Sequence, residues 1–181
     1  VAPVITPGAV EKNVTFPAGD WLDWWTGASH SGADKTVNAP LSRLPLFVKT
    51  GGIIPLLRPT IDTLSPVAAD SDIDSFATDA GALYATIAPG PESNIKLYDE
   101  TEVHQTPVDE GMELSWKPGS IFTKEIVMEV IGHPTKPTKV TGADGQALSQ
   151  VATVDELKPG SWSHAAARGG TVWVTLDAEN A

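Results

Sequence analysis

Nowhere in these 181 residues does an apolar i, i+3, i+4, i+7 pattern persist for three helical turns, so no helix long enough to form a layer is written into the chain. Fifteen prolines and sixteen glycines are spread along the length rather than gathered in one tract, and they punctuate short segments. Inside those segments the period is two. Phe122, Ile126, Met128 and Val130 fall on one side of a strand pattern, with Glu125 and Glu129 on the other. Val172, Val174 and Leu176 alternate with Thr171, Trp173 and Thr175. Asp144-Gly145, a pair that supplies the positive φ angles of a tight hairpin, lies between Lys139-Val140-Thr141 and Ala147-Leu148. The one helical candidate, Val154 to Leu157, is a single turn. The expected fold class is therefore all-β, with two antiparallel β-sandwich domains in tandem.

The dividing line comes from a shift in composition. Residues 56–79 turn polar and acidic with two prolines, which places a first sandwich at 1–60, a linker at 61–80 and a second sandwich at 81–181. Strands are expected near 1–6, 12–16, 20–25, 33–38 and 46–55, then near 83–88, 93–99, 111–116, 120–131, 137–141, 146–151, 161–166 and 171–177. Gly51-Gly52, between two apolar strand halves, reads as a bulge or tight bend. A unit of about 60 residues has a marginal core of its own and leans on a neighbour. Opening inside an apolar strand without methionine, the chain reads as a fragment or processed product.

Charge narrows the partners. Twelve basic against twenty-three acidic residues give a net charge of −11, which repels phosphate backbones and anionic membranes, so no nucleic acid and no membrane surface is expected as a partner. No apolar run reaches the roughly 18–20 residues of a membrane helix. The absence of cysteine removes thiol catalysis and cysteine-bound zinc but leaves the compartment open, with a bacterial secreted or periplasmic setting slightly favoured.

Asp20-Trp21-Leu22-Asp23-Trp24-Trp25 is the densest chemical feature and holds three of the six tryptophans. A flat indole can stack on the apolar face of a pyranose while a nearby carboxylate accepts hydroxyl hydrogen bonds, which makes Trp21, Asp23, Trp24 and Trp25 the candidate substrate-binding residues. The competing explanation is packing. In a strand Trp21, Asp23 and Trp25 share one face and Trp24 takes the other, and burial is the commoner fate of tryptophan. If one side of that strand faces a missing partner, self-association of the isolated chain follows.

Other motifs carry less. Asp70, Asp72 and Asp74 form a D-x-D-x-D run, but the sixth and twelfth positions of a calcium loop are Ser75 and Gly81 rather than Gly and Glu. His30, His104, His133 and His164 are widely spaced, without a neighbouring ligand partner. There is no G-x-S-x-G elbow and no glycine-rich phosphate loop. The sequence thus nominates no catalytic residue, no metal site and no cofactor.

The run Pro40-Leu41-Ser42-Arg43-Leu44-Pro45-Leu46-Phe47-Val48-Lys49-Thr50-Gly51-Gly52-Ile53-Ile54-Pro55 resembles a signature of glycoside hydrolase family 31. Val1-Ala2-Pro3-Val4 resembles the strand that leaves that family's barrel, and Phe16 to Gly27 resembles its tryptophan-rich hairpin. Leu97-Tyr98-Asp99-Glu100-Thr101 is similar to a turn of the family's distal domain but lacks its glycine, so that turn is expected to be built differently. The resemblance implies a proximal and a distal C-terminal β-sandwich attached to a catalytic (β/α)₈ barrel. The barrel's two aspartates cleave α-glucosides or α-xylosides with retention. No carboxylate here aligns with those aspartates. The implied role is non-catalytic support of the barrel. The alternative is a carbohydrate-binding module with Trp21, Trp24 and Trp25 as its platform and an α-linked oligosaccharide as its partner.

Overall fold

The computed structural model describes residues 1–78 and 80–178. The described residues form β1 (Glu11–Thr15), β2 (Asp20–Asp23), β3 (Ser29–Ser31), β4 (Asp34–Asn38), β5 (Phe47–Lys49), β6 (Ile53–Leu56) and β7 (Ala82–Ile87). They continue with β8 (Ser93–Lys96), β9 (Glu102–Val108), β10 (Gly111–Lys117), β11 (Glu125–Ile131), β12 (Ser149–Gln150), β13 (Ser161–Ala165) and β14 (Thr171–Asp177). Single 3₁₀ turns at Val154–Glu156 and Ala167–Gly169 are the helical elements, so the chain is all-β as its periodicity requires.

Strands β1–β5 make two small sheets, a β1-β4 ribbon and a β3-β2-β5 sheet. Strands β6–β14 make a six-stranded sheet of order β12-β13-β14-β11-β7-β6 and a three-stranded sheet β10-β9-β8. Most pairings are antiparallel, but β11 runs parallel to β7 and β12 parallel to β13. The β7–β11 pair is parallel because β8–β10 forms the crossover between them, leaving one layer and returning to it.

Alternation places the core. Leu83, Ala85 and Ile87 of β7, Ile126, Met128 and Val130 of β11, and Val172, Val174 and Leu176 of β14 face inward, met by Val103, Trp116 and Phe122. The first unit buries Phe16, Leu22, Val37, Ala39 and Val48, and two of these, Leu22 and Val48, pack against Ala88 and Ile131 of the second.

Several local expectations are corrected. Residues 1–6 form no strand, and the Ala2 amide donates a hydrogen bond to the Pro45 carbonyl (2.9 Å). The 46–55 strand is cut in two at Gly51, whose φ of +83° turns the chain. Its second half, β6, pairs with β7 at the edge of the large sheet although its numbering lies within 1–60. The pattern at 120–131 becomes a strand at Glu125. Strands β3 and β9 were hidden from the period-two reading, β9 because inward Gln105 interrupts its apolar positions.

The turn without its glycine is built on a carboxylate. Glu100 takes a left-handed φ of +72° at the tip. Asp99, buried, accepts hydrogen bonds from the Thr101 amide (3.1 Å) and hydroxyl (2.8 Å) and from the amides of Ile121 and Phe122 (both 3.0 Å). Burial alone would raise its pKa, but these donors outweigh it and hold the carboxyl below its ordinary value.

Residues 58–76 within the acidic stretch are folded into a loop with its own hydrogen bonds. The Arg58 guanidinium grips Asp74 through Nε (3.0 Å) and Nη2, the Thr60 hydroxyl donates to the same carboxylate, and Thr63 bridges Ser75. The bonds from Arg58 and Thr60 pull the Asp74 pKa down to about 2. Among the described residues no three His, Asp or Glu side chains are grouped as a metal ion would need. No helix of the described residues is long and apolar enough to cross a membrane.

Candidate functional site

The tryptophan-rich segment leaves its strand sooner than the sequence suggests. Strand β2 ends at Asp23, and Asp23 to Gly27 form a tight turn closed by the Gly27 amide on the Asp23 carbonyl (2.8 Å). The Asp23 carboxylate organises this turn. Its Oδ1 accepts the amides of Trp25 (2.9 Å) and Thr26 (2.8 Å), the local hydrogen bonding for which aspartate is suited at turns. Strand alternation therefore stops before Trp24 and Trp25.

Each indole is held by a different element. Trp21, half-buried, donates from Nε1 to the Pro17 carbonyl (3.1 Å) and tilts against Phe16. Trp24 lies under the Arg168 guanidinium, 4.5 Å from its ring centroid, and its carbonyl accepts Arg168 Nε (2.8 Å). Trp25 is 41% exposed, and its Nε1 is anchored on the Leu44 carbonyl (2.7 Å). The structure thus brings Asp23 and Trp25 together and sends Trp21 and Trp24 elsewhere.

Asp23 and Trp25 open onto a cleft of about 270 Å³, whose other walls include His30, Asn38 and Arg43. Strand β4 supplies Asn38, and the loop after it supplies Arg43. The His30 ring is pinned by stacking on Phe16 (5.1 Å) and by an edge contact with Phe47 (5.4 Å). No described side chain or backbone group hydrogen-bonds the Arg43 guanidinium or the Asn38 amide. Trp25, Asp23, Arg43 and Asn38 thus bring an indole, a carboxylate, a guanidinium and an amide to the lining of one cleft.

Sequence reasoning missed Arg43, Asn38 and His30 as lining residues. Arg43 sits inside the Pro40–Pro55 run, where only the family signature draws notice, and Asn38 comes from a different strand. Arg168 was missed as well. It holds a left-handed φ of +51°, and its Nη1 pairs with Glu129 Oε2 (2.6 Å), which also accepts the Thr86 hydroxyl (2.8 Å). Trp24 precedes it by 144 residues, a separation no local pattern reveals.

Against known proteins, the family model described as glycosyl hydrolase family 31 C-terminal domain matches residues 1–54. The chain is 28% identical to α-glucosidase 2 of Bacillus thermoamyloliquefaciens over 78% of its own length and 19% of that protein. It is 27% identical to an α-glucosidase of Aspergillus niger over 82% of its length and 16% of that protein. Its fold superposes on the cycloalternan-forming enzyme of Listeria monocytogenes with a TM-score of 0.74 and 25% identity, covering 99% of this chain and 17% of that one. The chain thus spans less than a fifth of these relatives. Residues 1–54 are similar to the C-terminal domain of glycosyl hydrolase family 31, and the full length is similar in sequence and fold to a small part of larger α-glucosidase-type enzymes.

Proposed function

We propose that this chain is a non-catalytic region that supports the catalytic (β/α)₈ barrel of a retaining α-glycosidase acting on α-glucosides or α-xylosides. The observation that carries the reading is the match of residues 1–54 to the family 31 C-terminal domain. The surface agrees with it. Exposed large apolar side chains include Val1, Ile5, Val10, Leu41 and Leu44 in the first part of the chain, besides Leu56, Leu64, Ile73, Tyr98, Val108 and Val154 further on, and a covering partner over the first group would make it core. Bared, the same surface favours self-association of the isolated chain.

In the polypeptide that carries this chain, replacing Leu41 and Leu44 by Ser should destabilise barrel and sandwich together. A melt in which the barrel's transition does not move would remove the supporting role. The isolated chain should turn over neither aryl α-glucoside nor aryl α-xyloside, since two-carboxylate hydrolysis needs opposed carboxyls on a rigid scaffold. Protein-dependent turnover abolished by a point substitution within this chain would contradict the non-catalytic reading.

A further inference from the structure

The cleft beside Trp25 has features that a supporting surface does not need. Its volume of about 270 Å³ lies near the ~300 Å³ lower end of small-molecule sites, which suits one ring-sized ligand rather than a chain of them. Its aromatic wall is fixed, because the Trp25 indole cannot turn without breaking its bond to the Leu44 carbonyl. Its polar wall is unspent. The Arg43 guanidinium and Asn38 amide have no hydrogen-bond partner among the described residues, and the Asp23 carboxylate uses Oδ1 for the turn while Oδ2 makes no described bond.

The charges choose among ligands. An anion drawn to Arg43 meets the Asp23 carboxylate, and a cation drawn to Asp23 meets the Arg43 guanidinium, each at a cost in like-charge repulsion. A neutral molecule that offers hydroxyls as both donors and acceptors satisfies the two together and the Asn38 amide with them. If it also presents an apolar C–H face, that face covers the exposed indole. These requirements together describe a neutral pyranose.

We infer that the cleft formed by Asp23, Trp25, His30, Asn38 and Arg43 is a binding site for a single neutral hexopyranose unit, with Trp25 as its stacking surface and Asp23 and Arg43 as its hydroxyl-reading pair. The cleft shares the Pro40–Leu44 loop with the surface assigned to the barrel above, but the two roles are tested apart, and failure of sugar binding would leave the supporting role standing.

The test is an NMR titration of this chain with methyl α-D-glucopyranoside, following the Trp25 Nε1–H, Asn38 side-chain and Arg43 Nε signals. These signals should shift saturably with a dissociation constant of about 1–10 mM, as expected for a small open site. The corresponding uronide and the 2-amino sugar should bind at least ~10-fold more weakly. Trp25→Ala and Arg43→Gln should each weaken the neutral sugar by ~10-fold or more. Asp23→Asn keeps an oxygen for the Trp25 and Thr26 amides, so the turn survives, and it should improve uronide binding by ~10-fold relative to the parent chain. The inference is overturned by absence of saturable shifts up to ~100 mM sugar in a chain whose spectrum stays folded. Binding indifferent to both Trp25→Ala and Arg43→Gln, or uronide binding as tight as the neutral sugar's, overturns it equally.

Discussion

Between the six-stranded sheet and the β8–β10 sheet, Leu83, Ile87, Val103, Ile126 and Met128 are sealed from solvent by side chains of their own unit. Between the β1-β4 ribbon and the β3-β2-β5 sheet, the buried apolar side chains reduce to Phe16, Leu22, Val37, Ala39 and Val48, and Leu22 and Val48 reach across to Ala88 and Ile131. The difference follows from size. A small unit cannot bury enough surface to offset its chain entropy, so it uses a neighbour as part of its core. The β6–β14 core is closed by its own side chains, whereas the β1–β5 part shares its core with that neighbour and leaves Ile5, Val10, Leu41 and Leu44 exposed.

The sharpest way to break this comparison is to cut the chain. Residues 52–181 retain β6 and should melt cooperatively, while residues 1–52 alone should show no cooperative transition. A chain beginning at 81 loses β6, takes the buried Ile53 from the core and bares the backbone edge of β7. Loss of the Ile53 side chain alone costs about 2–3 kcal/mol, a drop in melting temperature of roughly 10 °C or more for a domain of this size. If 81–181 melted as high as 52–181, β6 would belong to the first unit in energy whatever its pairing.

The joint between the two units should fail at Gly27. A Cβ there would lie 1.9 Å from the Arg168 carbonyl oxygen, on backbone that also has a φ of +70°. Gly27→Ala should cost about 2–4 kcal/mol in urea unfolding and loosen the first unit from the second. An unchanged transition would mean that the two units do not need this close approach.

Arg168 offers a milder cut at the same joint. It covers Trp24, donates to the Trp24 carbonyl and pairs with Glu129, whose carboxylate is only partly solvated. Arg168→Met should cost about 1–3 kcal/mol, chiefly by leaving Glu129 without its cation. Adding Glu129→Gln should recover part of the loss in a double-mutant cycle. Strict additivity of the two substitutions would remove the ion pair from the account of the joint.

How much of this was legible in the sequence depends on the range of the contact involved. The inward rows of β11 and β14 follow from strict alternation at Ile126, Met128 and Val130 and at Val172, Val174 and Leu176, a signal contained in one short strand each. The Asp144-Gly145 hairpin is local too, and the structure holds it with Thr141 bridging Ala147 and Leu148 bonding Val140. Strand β9 was lost because Gln105 points inward, and the transfer of β6 to the large sheet was lost because Gly51 changes direction without changing composition. The candidate site was half legible. The pairing of an indole with a carboxylate named Asp23 and Trp25, but it also named Trp21 and Trp24, since a turn at Asp23 ends the alternation that treated them alike. Arg43, Asn38 and Arg168 come from other elements and meet these residues only in three dimensions.

The smallest effect concerns the loop that joins the two units, and acid is the means to see it. Asp74 has a pKa of about 2 in the folded chain because Arg58 and Thr60 donate to its carboxylate, against roughly 3.9 for an unfolded aspartate. A depressed folded pKa means that the unfolded chain binds the proton more readily. The stabilisation is therefore complete above about pH 4 and disappears as pH falls through about 2. Asp99 is also held below its ordinary value in the folded chain, so the chain's own acid curve does not isolate Asp74. The difference between the parent chain and Asp74→Asn does. It should be a few degrees of melting temperature at neutral pH, reduced further by salt because the pair is partly exposed, and it should close progressively between pH 4 and 2. A difference that stayed constant through that range would show that the substitution removes geometry rather than charge, and the loop would then be held by its shape alone.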